Sequence, residues 1–132
     1  MRRAVLTLAL LVAAGSPCLA SGGIECTDAA SEVTVALSAG HQDTLSIFRA
    51  VVTVRDETWS SDTSVVPGAP LVVGQAFEND GMLLVDFLGE SAGPVIANLR
   101  AFNATEEDTF VSAGVFTFKG KGAWAVDCSI RE

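Results

Sequence analysis

The chain has no tyrosine, one histidine, three cysteines and no apolar run of membrane-spanning length. Each shortage removes a class of function. Seven phenylalanines and two tryptophans make up the whole aromatic set, so little polar-tipped aromatic surface is available for recognition. The single histidine, His41, excludes a multi-histidine metal centre. It stands in Gly40-His41-Gln42-Asp43, where a neighbouring aspartate could support acid–base chemistry. Its place between two strand-like runs reads more simply as a solvated loop position. No Gly-x-Ser-x-Gly elbow occurs, so a hydrolase nucleophile of that type is absent. Carboxylate pairs are the remaining catalytic option, because sixteen acidic residues offer many pairs and only geometry could select one.

A transmembrane helix needs about 20 apolar residues, and the longest candidate, residues 4–15, is roughly half that length. Arg2 and Arg3 precede this run, Pro17 follows it, and Cys18-Leu19-Ala20 ends it with small residues at the two positions that a cleaving peptidase reads. Residues 1–20 are therefore expected to be a cleaved secretory signal and residues 21–132 a single β domain. Removing twenty residues from 132 leaves 112, a usual size for one domain. The expected compartment is periplasmic or extracellular, and the compact signal suits a bacterium.

Cysteine usage agrees with export. Cys18 leaves with the signal, so Cys26 and Cys128 remain, close to the two ends of the mature chain. In an oxidising compartment two such thiols pair most simply with each other. A redox motif would need Cys-x-x-Cys, and a zinc site would need more Cys or His at short spacing. The expectation is a structural disulfide, with neither a metal nor a cofactor.

Basic residues are scarce, at eight against sixteen acidic ones, and Arg2 and Arg3 depart with the signal, so the net charge deepens from −8 to −10. Such a surface repels nucleic acid and anionic lipid and steers toward basic partners or cations.

What the chain does contain is a series of short β-rich runs separated by turn residues. Residues 33–38 and 45–55 alternate with a period of two, with Phe48, Ala50, Val52 and Val54 assigned to one face of the second run. Residues 56–70, closed by Pro67-Gly68-Ala69-Pro70, read as the longest loop. Residues 71–77 and 82–88 flank Glu78-Asn79-Asp80-Gly81 and form the clearest hairpin signal. Three further runs follow at 95–102, 110–119 and 123–130, and an eighth short one precedes them all at 24–27. Trp124, Val126, Cys128 and Ile130 share a face of the last run. No amphipathic helix is indicated. The fold class is all-β, an antiparallel sandwich of about seven or eight strands, with a closed or partly open β-barrel as the alternative. Residues 71–77 and 82–88 are apolar on both faces, so a lumen, a second layer or a partner must cover the excess.

Candidate binding residues cluster around Trp59. In Asp56-Glu57-Thr58-Trp59-Ser60-Ser61-Asp62 a large aromatic sits in a polar stretch, where it serves either as a contact surface with Asp56, Glu57 and Asp62 or as a lid over one end of the core. Three acidic clusters, Asp56 with Glu57 and Asp62, Glu78 with Asn79 and Asp80, and Glu106 with Glu107 and Asp108, offer ligands for a hard cation such as calcium, but none has the spacing of a calcium loop and all three read more simply as solvated turns. Asn103-Ala104-Thr105 fits an N-glycosylation acceptor. The chain resembles, in size, acidity and disulfide closure alone, small exported β domains such as periplasmic lysozyme inhibitors, and no motif transfers from them. The leading functional expectation is a non-catalytic exported β domain, of inhibitor or adaptor type, that binds a macromolecule such as a basic protein. A carrier of a small apolar ligand in a barrel lumen is the alternative, and a carboxylate-dependent hydrolase the weaker one.

Overall fold

The computed structural model describes residues 21–41 and 43–131. The expected secretory signal and Cys18 lie outside them. The described chain forms ten strands: β1 (Ser21–Asp28), β2 (Val33–His41), β3 (Leu45–Val54), β4 (Glu57–Ser60), β5 (Ala69–Pro70), β6 (Val72–Asn79), β7 (Met82–Leu88), β8 (Val95–Glu106), β9 (Thr109–Phe118) and β10 (Gly122–Arg131). All ten belong to one sheet in the order β5-β4-β3-β2-β1-β10-β9-β8-β7-β6. Every ladder is antiparallel except the short β4–β5 pair. Of the two all-β arrangements the sequence allows, the single sheet is the barrel-like one.

Eight long strands make the wall. β1 to β3 and β6 to β10 are two meanders, joined because β10 returns to pair with β1 from Gly23↔Arg131 to Asp28↔Val126. Cys26 and Cys128 are directly opposite one another in that ladder and are bonded, which fits an oxidising compartment. The wall nearly closes where β3 and β6 approach without forming a ladder. β4 and β5 bridge part of this seam: Ser61 donates its amide to the Ala50 carbonyl, Leu71 donates to Ser60, and the Ser61 hydroxyl accepts from the Ala50 amide at 2.8 Å.

Strand alternation builds the interior. Val33, Val35, Leu37 and Ala39 of β2 are buried, as are Leu83, Val85 and Phe87 of β7, while the residues between them point outward. The middle is filled by Phe87, Phe116 and Leu99, all fully buried, with Phe116 edge-on to Phe87 and to Phe118 at 6.3 Å between ring centres. Such pairs add about 1 kcal/mol each beyond their apolar burial. Apolar-in, polar-out alternation on β1 and β2 is the reverse of the pattern in a membrane-spanning barrel. Among the described residues no helix is long and apolar enough to cross a membrane.

Local chemistry sets the turns. Asp28, buried at the end of β1, accepts the Val33 amide on one carboxylate oxygen at 2.7 Å and the Ala30 amide on the other at 3.1 Å, which fixes the β1–β2 connection. Asp80 and Gly81 both take positive φ, 47° and 76°, as a two-residue type I′ hairpin requires.

Three expectations are corrected. The expected loop 56–70 contains β4 and β5, and Trp59 is a strand residue opposite Val52. His41 is the last residue of β2, opposite Leu45, and not a loop residue. Phe48 does not share the face of Ala50, Val52 and Val54: the β2–β3 register steps from Ser38↔Arg49 to Ala39↔Ile47. The bulge leaves Phe48 without a ladder partner on β2 and 58% exposed.

Candidate functional site

Antiparallel connectivity gives the barrel two chemically different ends. The turns β1–β2, β3–β4, β7–β8 and β9–β10 gather at one of them, together with both tryptophans. Trp59 points inward from β4, as its pairing with the buried Val52 dictates, and rests on Phe118 with 4.5 Å between ring centres. Lys121 lies 5.4 Å from the centre of the Trp59 ring and its ammonium is paired with Glu57. Trp124 repeats the device. Arg55 stands 5.7 Å from its ring, the Trp124 indole N–H donates to Glu32 at 3.1 Å, and Arg55 is 3.9 Å from the same carboxylate. Each indole is thus held between the core and a cation, and each cation has a carboxylate partner.

Of the four residues selected around Trp59, the structure brings together Trp59, Glu57 and Asp56, all within one hairpin. Asp56 is exposed in the β3–β4 turn. Asp62 belongs to the following loop and turns back on it, accepting the Ser64 hydroxyl at 2.6 Å and the Ser64 amide at 3.2 Å. These bonds hold the Asp62 carboxyl below its ordinary value, with the Ser64 hydroxyl the largest cause. Trp59 itself is half-buried and packs on Phe118 against this end of the core, as a lid would.

The other end is carboxylate-rich. Asp43, Asp80, Glu106, Glu107 and Asp108 are all exposed there, and segments 41–44, 78–81 and 106–109 contain no lysine or arginine. The β8–β9 hairpin also runs past the ladders of its two neighbours toward this end. β7 accompanies β8 only as far as Met82↔Phe102, and β10 accompanies β9 only as far as Asp127↔Ala113, while β8 and β9 continue to pair through Glu106↔Thr109. Residues 103–112 are therefore a two-stranded ribbon without a flanking ladder among the described residues. Gly114 stands at its base: a Cβ there would lie 1.9 Å from the Arg100 carbonyl oxygen, so only glycine allows the close approach of the two strands.

This ribbon carries apolar side chains in the open. Phe102 is 65% exposed, Val111 57% and Phe110 47%. Register puts Phe102, Ala104, Val111 and Ala113 on one face and Phe110 on the other. The first face continues across the wall through Met82 to Asn79 and, one row away, through Leu84 to Phe77. Here lies the apolar excess of β6 and β7: it faces out, and among the described residues no second layer covers it. Arg100 interrupts the face, with its guanidinium held by Asp86 at 2.6 Å and by the carbonyls of Val85 and Leu99. Asn103 of the glycosylation triplet accepts the Ser112 hydroxyl at 2.5 Å within the ribbon.

The ribbon had a partial sequence signal, because Phe110 and Val111 are consecutive and cannot both be buried in a one-sided strand. The end of each pairing ladder was not visible in any local pattern. A cleft of about 250 Å³ follows the β3–β6 seam between Phe48 and Val72, and one of about 280 Å³ lies beside it at Gly40, Thr44, Ser46 and Phe48. No group of three or more His, Cys, Asp or Glu among the described residues could hold a metal ion. The chain matches no protein-family model, no curated protein and no solved structure.

Proposed function

We propose that the protein is an exported, non-catalytic β-barrel of the inhibitor or adaptor type, working in the periplasm or outside the cell by binding a macromolecular partner on its outer surface. The carrying observation is the distribution of large apolar side chains. Phe87, Phe116 and Leu99 fill the interior, whereas Phe102, Val111 and Phe110 are displayed to solvent. A small-molecule carrier would keep its apolar surface inward around a cavity of about 300 Å³ or more. In this barrel large side chains, Phe87, Phe116 and Leu99, stand fully buried in the interior, which supports an outer contact over a lumen site. Contiguous outward apolar surface rimmed by charge is instead the usual mark of a protein contact.

Native mass spectrometry of the protein recovered from its own envelope or medium at low salt tests this reading. The expected species is a stoichiometric adduct with another protein that dissociates as salt rises. A retained small lipophile would favour carriage, and a bare chain recovered under all conditions would remove the reading.

A further inference from the structure

We propose that the β8–β9 ribbon is the docking element and that its occupant is a basic protein with an apolar centre to its contact face. The inference rests on the binding function proposed above and assigns its site.

The ribbon is an improbable structure to leave bare. Two strands without neighbours are marginal in water, and Phe102, Phe110 and Val111 lose the benefit of burial by standing on them. Phe102, Ala104, Val111 and Ala113 make one face of the ribbon apolar, while Phe110 stands on the other among Asn103, Thr105 and Ser112, so the apolar contact centres on the first face with Phe110 beside the tip. Both its edges also present backbone groups beyond the last ladder pairs with β7 and β10, so main-chain pairing with an incoming segment is open to it.

Charge selects the occupant. Glu106, Glu107 and Asp108 form the tip, and Asp80 is exposed in the neighbouring β6–β7 turn, whose Gly81 carbonyl accepts the Asn103 amide at 2.6 Å. An apolar face beside an acidic tip calls for an apolar face beside a cationic one. A second copy of this chain would bring carboxylates against carboxylates, and nucleic acid or an anionic membrane would bring phosphates. A basic protein satisfies both halves of the surface.

The test uses the full, disulfide-intact chain and two synthetic probes of equal positive charge, an amphipathic Lys/Leu peptide and a Lys/Ser peptide. The Lys/Leu peptide should bind at least about tenfold more tightly than the Lys/Ser peptide, and less tightly as salt is added. Phe102→Ser with Val111→Ser should cost about tenfold, as should Glu106→Gln with Glu107→Gln and Asp108→Asn, while Trp59→Ala leaves affinity within about twofold. Because Phe102 and Val111 are exposed, the variants should keep the parent circular dichroism. Affinity that survives the ribbon changes and falls with Glu57→Gln or Trp59→Ala would move the contact to the tryptophan end and overturn this assignment while leaving the binding function standing. Concentration-dependent self-association that Phe102→Ser abolishes would overturn it in favour of a second copy. Failure of a folded parent to bind either peptide overturns it as well, and the native mass measurement then decides separately whether any protein partner exists.

Discussion

Cys26 and Cys128 are separated by 102 positions in the sequence and by 4.0 Å between Cα atoms in the fold. They face each other across the β1–β10 ladder, the one place where the two meanders join. The bond thus clamps the joint on which the barrel depends. Closing a loop of this length lowers the entropy of the unfolded chain by the equivalent of at most about 4.7 kcal/mol. Reduction, or Cys26→Ala with Cys128→Ala, should lower unfolding stability by about 3 kcal/mol in urea, with the folded circular dichroism retained. An unchanged midpoint would show that the six-pair ladder alone holds the joint.

Trp59 works as a packed cap, with Phe118 beneath it and Lys121 above. Full truncation of a core tryptophan costs about 3–5 kcal/mol. For a half-buried one, Trp59→Ala should cost about 2–3 kcal/mol in thermal or denaturant unfolding. Lys121→Ala removes an exposed ion pair and a cation over the ring, and should cost only about 0.5–1 kcal/mol. A Trp59→Ala variant as stable as the parent would return this residue to the contact surface.

Local pattern carried the strands further than it carried the site. All eight long strands coincide with runs of alternating or continuous apolar residues, and Val33, Val35 and Leu37 face inward as their spacing dictates. Phe48 shows where period two fails, because the bulge opposite Ser38 and Ala39 belongs to the pairing of two strands and not to either alone. Trp59 shows a second failure. The polar neighbours Glu57, Thr58 and Ser60 concealed a strand only four residues long, β4, whose inward side chain is set by its partner Val52. The β8–β9 ribbon shows a third: Phe102 and Phe110 lie on strands that were expected, but how far neighbours accompany them depends on β7 beginning at Met82 and on β10 parting from β9 after Asp127 while it stays paired with β1.

Gly114 gives that ribbon a direct test. A methyl group placed there meets backbone, the Arg100 carbonyl oxygen at 1.9 Å and the Ala101 Cα at 2.5 Å, and neither can step aside as a side chain could. Gly114→Ala should cost about 2 kcal/mol or more, at or above the middle of the range for overpacking. Its amide-exchange protection should fall first in residues 103–112. Gly40→Ala is the control, since a Cβ there meets nothing within 4 Å, and should change stability by no more than about 0.5 kcal/mol. Equal effects of the two substitutions would show that strand propensity rather than close approach governs the hairpin.

Asp62 should report the order of its loop through its titration. The Ser64 hydroxyl at 2.6 Å is the largest cause of its lowered value, the Ser64 and Val65 amides and the Arg49 charge act in the same direction, and partial desolvation opposes them. A carboxyl whose folded value lies below the unfolded one stabilises the native state above the ordinary value of 3.8, and that contribution disappears as pH falls through the folded value. Ser64→Ala removes the largest favourable contact, so the Asp62 titration followed by NMR should move up toward 3.8. The amides of Ser64 and Val65 should then lose their acid-induced shift change at a higher pH than in the parent. A titration that stays where it was would assign the lowering to the backbone amides and Arg49, and the hydroxyl would have no part in holding the loop.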